Sequence, residues 1–298
     1  MQEAAFADRL IAAVRAKATP LCVGLDPFPE KIPALFGDAR ADIDAIVRFG
    51  EAMIDIAVRH TGVIKPQLGL FEPYGGEGVA AAAALTAYAQ DKGALVILDA
   101  KRGDIGTTAE GYARASLGPK PGFDADCVTI NPYMGADTLE PFIAMAERAN
   151  KGCAVLVRTS NPGAADLQDR DMGGAPLWAR AAEMLAPLTA RLKAENGWSG
   201  LMIVAGATAP EQARDLRRLL PDALFLVPGY GAQGASAEQA RAGFVKRAQG
   251  WEGGVINSSR AVLYPPAAQT ASTLDVWRGA IDAAMAQAAE DLRRACAI

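Results

Sequence analysis

The sequence predicts a single (β/α)8 barrel domain over residues 1–298, and three observations predict it. Eight short β-rich runs alternate with longer segments of helical periodicity along the whole chain. No break in composition divides them into two units. Polar residues collect where the apolar runs end, at Asp26, Lys65, Asp99, Lys101, Asn131, Ser160 and Arg260. In a barrel those ends form one mouth, which is where catalysis sits.

The elements follow in order. An amphipathic segment, Phe6 to Lys17, precedes the first strand and is predicted to plug the barrel's lower end. The strands are predicted at Leu21–Gly24, Val63–Lys65, Leu95–Lys101, Cys127–Asn131, Cys153–Thr159, Leu201–Ala205, Leu224–Pro228 and Val255–Asn257. Helical stripes lie between and after them. Ile43, Ile46, Val47, Met53, Ile54 and Ala57 form one; Leu177, Ala181, Leu185, Leu188 and Leu192 form a second. Leu274, Trp277, Ile281, Met285 and Ala288 form a third. The stretch from Asn161 to Gly200 reads as an insertion after the fifth strand. A doubly wound sheet is the competing fold. It calls for G-x-G-x-x-G after the first strand, where Gly24 is instead followed by Leu25-Asp26-Pro27.

Composition narrows the class. Hydrophobic residues make up 51% and charged residues 21%, ordinary for a globular chain with a sizeable core. The net charge of -4 argues against a nucleic-acid binder, so an anionic ligand needs a local cation cluster. Cys22, Cys127, Cys153 and Cys296 lack metal-site spacing and read as buried thiols of a reducing compartment. Charges interrupt the N-terminal stretch, and no run approaches the roughly 20 apolar residues of a membrane helix. The expectation is a cytoplasmic protein with no membrane partner.

The densest chemical signal is Asp99-Ala100-Lys101-Arg102-Gly103-Asp104-Ile105-Gly106, directly after an apolar run. Strand alternation would set Leu95, Ile97, Asp99 and Lys101 on one face, with Asp104 in the loop beyond. Carboxylates beside a lysine keep it protonated and suit it to deliver a proton to a developing carbanion. The alternative is a surface ion-pair cluster capping a strand.

At the other side of the mouth the seventh strand runs into Pro228-Gly229-Tyr230-Gly231-Ala232-Gln233-Gly234, and the eighth ends Asn257-Ser258-Ser259-Arg260. Loops after strands seven and eight are the recurring phosphate site of barrels, and Arg260 supplies a planar fork for such an anion; the alternative is a plain flexible loop beside a surface arginine. The single histidine, His60, ends a helix and reads as a terminal residue favourable with the macrodipole. Histidine-based hydrolysis and zinc sites therefore have little support.

The motif Asp99-x-Lys101-x-x-Asp104-Ile105-x-x-Thr108 resembles the signature of the orotidine 5′-phosphate decarboxylase family. Asp99 to Thr108 and Thr129-Ile-Asn-Pro-Tyr-Met-Gly resemble its longer bacterial branch. The resemblance runs from Gly24 to Arg260 and implies a homodimer acting on a nucleotide, without metal or cofactor. It implies that Lys65, Asp99, Lys101 and Asp104 form a charged tetrad, with Asp104 donated by the partner chain. Lys101 would protonate C6 of the pyrimidine, and Asp99 would face the substrate carboxylate. Asp26 and Lys65 would bind ribose, with the partner's Thr108 nearby. Ser160 would read the pyrimidine edge, and Gln233 and Arg260 would hold phosphate. Ser259 stands where the family usually has glycine, and Tyr264 is given no ligand role.

Two rivals use parts of the same pattern. A magnesium-dependent sugar-phosphate decarboxylase or aldolase of the same barrel type needs an extra carboxylate, for which Glu72 is the nearest candidate. A non-catalytic nucleotide-binding barrel would keep Gln233 and Arg260 but has no use for a lysine between two aspartates.

Overall fold

Short parallel strands whose inward and outward faces are both apolar must be covered on both sides, and a closed barrel ringed by helices does this. The computed structural model describes residues 4–231 and 234–298. Its strands are β1 (Leu21–Leu25), β2 (Val63–Pro66), β3 (Leu95–Arg102), β4 (Cys127–Ile130) and β5 (Gly152–Arg158). The series continues with β6 (Ser199–Ala205), β7 (Ala223–Val227), a hairpin of β8 (Val245–Arg247) and β9 (Gly250–Glu252), and β10 (Gly254–Ser258). Strands β1 to β7 pair in sequence, and β10 closes the barrel between β7 and β1. Every barrel pair is parallel, with Leu21 opposite Ile256 at the closure. Each predicted strand is present, its ends moved by no more than two residues.

The helices are α1 (Phe6–Lys17), α2 (Ile43–His60), α3 (Gly75–Asp91), α4 (Gly106–Leu117), α5 (Glu140–Ala149) and α6 (Ala164–Leu167). They continue as α7 (Leu177–Thr189), α8 (Pro210–Leu219), α9 (Ala237–Ala240), α10 (Arg260–Leu263), α11 (Pro266–Gln269) and α12 (Leu274–Cys296). The α2 and α12 stripes face the core much as their spacing predicts, through Ile46, Met53 and Ile54 and through Trp277, Ile281 and Met285. The α7 stripe is rotated: Trp178, Ala179, Ala182 and Leu185 are buried, while Leu177, Ala181 and Leu188 are only half-buried. Trp178 is the larger apolar body, and burying it outweighs the leucine spacing.

Helix α1 closes the bottom of the barrel. Phe6, Leu10, Ile11 and Val14 pack on one inward residue of every barrel strand: Cys22, Val63, Ile97, Cys127, Ala154, Met202, Leu224 and Val255. The Phe6 ring lies against Gly152 of β5, where a Cβ would overlap it. Two residues further along each strand, the inward positions become Gly24, Lys65, Asp99, Thr129, Leu156, Val204, Leu226 and Asn257. All but Gly24 line a cavity at the mouth. The plug therefore fills the lower interior and leaves the upper interior open.

Candidate active site

The cavity at the mouth has a volume of about 440 Å³. One arc of its floor, from β5 to β7, is apolar: Leu156, Val204 and Leu226. The opposite arc, from β2 to β4, carries Lys65, Asp99 and Thr129. The chemistry is concentrated in this second arc.

Asp99 is its centre and is buried. Its Oδ2 accepts hydrogen bonds from Lys65 Nζ at 2.7 Å and Gln67 Nε2 at 3.0 Å. Its Oδ1 accepts from Lys101 Nζ at 2.5 Å and Thr129 Oγ1 at 2.9 Å. Burial alone would raise the Asp99 pKa, but Lys65 and Lys101 hold its carboxyl well below the usual carboxylate range. Burial likewise opposes the Lys65 ammonium, yet Asp99 and then Asp26 keep its pKa above the ordinary lysine value. Both charges persist in a dry place because each is the other's counter-ion.

Lys101 reaches this network by a route that strand alternation does not supply. Its backbone is left-handed, with φ of 48°, and the pairing of β3 with β4 shifts register between Leu98 and Arg102. The Lys101 amide donates to Thr129 Oγ1 at 2.9 Å, so one threonine holds both the lysine's backbone and the aspartate's carboxylate. Such a φ is strained for a lysine, and strain of this kind collects at functional sites. The Lys101 side chain is half-exposed toward the cavity while Asp99 is nearly sealed. Of the two lysines on Asp99, it is the more open to a ligand.

Asp26, Ser160 and Arg260 also line the cavity, as their positions at strand ends predict. Asp26 Oδ1 is buried with no hydrogen-bond partner among the described residues, an acceptor open to a donor. The residue before Ser160 is held by the insertion: Gln168, just past α6, accepts from the Thr159 amide at 2.9 Å and donates to Thr159 Oγ1 at 2.8 Å. Tyr264 is a strut, donating to the Asp26 carbonyl at 2.8 Å, accepting from the Phe28 amide at 2.9 Å and stacking on Phe49.

Asp104 and Thr108 are the two residues expected in a partner chain's site. Asp104 does not line this chain's cavity; its Oδ1 accepts from the Ile105 amide at 2.8 Å. Thr108 is exposed on α4, equally outside the cavity. Asn131 faces a neighbouring cavity under the insertion instead of the mouth. Gln233 lies outside the described residues. Glu72 pairs with Arg102 outside the cavity, so it is not among the groups that could join Asp99 around a cation. His60, at the end of α2, is 2.5 Å from Asp282 of α12, a helix-to-helix tie. Gln67, Thr129, Tyr230, Asn257 and Ser259 line the cavity without having been singled out as ligands. The signal for Gln67 and Thr129 was their parity with Lys65 and Cys127 on the inward face of their strands.

With this geometry in place, similarity to known proteins is informative. Residues 19–272 match the profile of the "Orotidine 5′-phosphate decarboxylase / HUMPS family". Orotidine 5′-phosphate decarboxylase of Rhodopirellula baltica is 36% identical over 97% of this chain and 99% of its own. Its counterpart in Cellvibrio japonicus is 42% identical over 87% and 89%. The solved structure of Leishmania donovani OMP decarboxylase, 31% identical, matches with a TM-score of 0.76 and covers 99% of each chain. The chain belongs to the orotidine 5′-phosphate decarboxylase / HUMPS family.

Proposed function

We propose that the chain converts orotidine 5′-phosphate to UMP and carbon dioxide, with Lys101 protonating C6. The observation that carries this reading is Asp99, ionised and buried between Lys65 and Lys101 on the floor of the cavity. Loss of carbon dioxide leaves an electron pair at C6 in the plane of the pyrimidine ring, where ring carbonyls cannot delocalise it. Fixed positive charge must stabilise it, and does so best where water is excluded. Lys101 supplies that charge and then the proton. Asp99 holds Lys101 in place and faces the departing carboxylate.

The remaining roles follow the same logic. Asp26, with its unpartnered oxygen, and Lys65 would take ribose hydroxyls. Ser160 would read the pyrimidine edge against the apolar arc, and Arg260, with Gln233, would hold the 5′-phosphate. Phosphate binding, remote from the reacting carbon, would orient the ring for reaction. Asp104 and Thr108 would be contributed to the site of a second copy in a homodimer. Their position outside their own cavity and the exposed side chain of Ile105 beside them support this. The lysines supply the charge a metal would otherwise bring, so the reading needs neither metal nor cofactor. Four buried free thiols fit a cytoplasmic setting.

The test is to offer orotidine 5′-phosphate to exhaustively chelated protein and follow loss of the orotate chromophore. Undiminished turnover is expected. Turnover abolished by chelation and restored by magnesium would overturn the reading in favour of the sugar-phosphate rival.

A further inference from the structure

Gly24 is the one inward position of the cavity floor without a side chain, and something else occupies its space. A Cβ built there would overlap the Ser259 hydroxyl and lie 3.0 Å from Ser259 Cβ and 3.1 Å from Asn257 Oδ1. The backbone of Gly24 is not in the left-handed region, so the constraint on this position is one of space, set by Ser259 and Asn257. Ser259 stands at the N-cap of α10, where a serine ordinarily turns its oxygen back onto the helix amides. It makes no such cap. Its Oγ instead accepts from Asn257 Nδ2 at 3.1 Å, inside the barrel. The residue after Ser259 is Arg260, the first of α10 and part of the cavity wall.

We propose that Gly24, Asn257 and Ser259 form a seat that fixes the start of α10 and so aims Arg260 at the anionic end of the substrate. The helix cap is given up for this seat, which replaces a loose terminus with three interlocked strand-end positions. Asn257 and Ser259 act through Arg260 and are positioning residues. The seat explains why this chain carries serine beside the arginine: the serine fills the space that Gly24 leaves. The inference rests on the reading of Arg260 as the phosphate ligand.

The test compares UMP with uridine as ligands, alongside turnover of orotidine 5′-phosphate, in wild type, Gly24→Ala, Ser259→Gly and the double variant. Gly24→Ala should raise KM and weaken UMP more than tenfold, with kcat reduced far less and uridine binding barely changed. The double variant, which removes the overlapping hydroxyl, should recover at least half of that loss on a logarithmic scale. Absence of any recovery, or equal weakening of UMP and uridine, would overturn the seat. Should Gly24→Ala not fold, Asn257→Ala is to be used, with an expected three- to tenfold rise in KM and near-normal kcat. Unchanged KM there would also overturn it. A wild type that neither turns over orotidine 5′-phosphate nor prefers UMP to uridine would defeat the functional reading itself, a result distinct from all of these.

Discussion

The two ends of the barrel interior are built on the same eight strands and use them oppositely. At the lower end, inward residues such as Val63, Ile97 and Cys127 pack under Phe6 and Leu10 of α1. Two residues on, β2, β3 and β4 present Lys65, Asp99 and Thr129 to an open cavity. A large apolar side chain buried at the lower end contributes roughly 1.5–3 kcal/mol. A buried ion pair at the upper end is weak evidence for stability, because desolvation offsets most of its attraction. Apolar packing holds the fold at one end, and the unfavourable charge is kept at the other.

The largest effect expected from breaking this division concerns Asp104. If the upper floor is completed by a partner chain, Asp104→Ala and Lys101→Ala homodimers should each lose at least about 10²-fold in turnover. Mixing them and allowing subunit exchange should restore about a quarter of wild-type activity, because half the dimers carry one intact site of two. Exchange verified by mass without recovered activity would place Asp104 in its own chain's service.

The lower end predicts the converse. Phe6→Ala should cost about 3–5 kcal/mol in denaturant unfolding, the range for an emptied aromatic position, while kcat stays near wild type. A large fall in kcat in the folded variant would mean that the plug and the floor are coupled. Next in size, Arg260→Ala should weaken UMP by about 2 kcal/mol, the scale of a charge-assisted contact. It should leave the slow decarboxylation of a phosphate-free substrate nearly unchanged. Equal losses on both substrates would make Arg260 a structural residue.

The smallest effect lies on the outer shell. The hydrogen bond with His60 and the nearby Arg59 guanidinium lower the pKa of Asp282. A lowered folded-state pKa gives stability that is complete above the unfolded carboxylate value, about 3.9, and is lost as pH falls through the folded value. Asp282 is more than a third exposed, so screening limits this to a few tenths of a kcal/mol, roughly. Unfolding of Asp282→Asn should differ from wild type by that little at neutral pH and converge with it in acid. A difference that grew in acid would reverse the sign of the argument.

The barrel was legible in the sequence because hydrophobic period and strand-end polarity both survive folding. Lys65 and Asp99 were legible for the same reason: each continues the inward parity of its strand. Lys101 was singled out by an incomplete argument, since the left-handed turn at that residue ends the alternation invoked for it. Its contact with Asp99 depends on Thr129 of the next strand, a relation set by register that no local pattern announces. Gly24 was hidden altogether. A glycine in an apolar run looks like a plain strand residue until the serine occupying its space, more than two hundred residues away, comes into view. The rotated face of α7 was missed because a leucine spacing was weighed above a tryptophan.

The central claim is that the charged floor exists for chemistry and not for the fold. It is tested most directly by measuring turnover and unfolding free energy on the same preparation of Lys101→Ala. The account predicts a fall in kcat of several orders of magnitude, beyond the roughly 10²–10⁴ of ordinary general-acid loss, because carbanion stabilisation goes with the proton donor. It also predicts an unfolding free energy within about 1 kcal/mol of wild type, the range for an ion pair whose lysine is half-exposed. A folded variant with near-normal turnover, or one that loses its stability together with its activity, would contradict the claim.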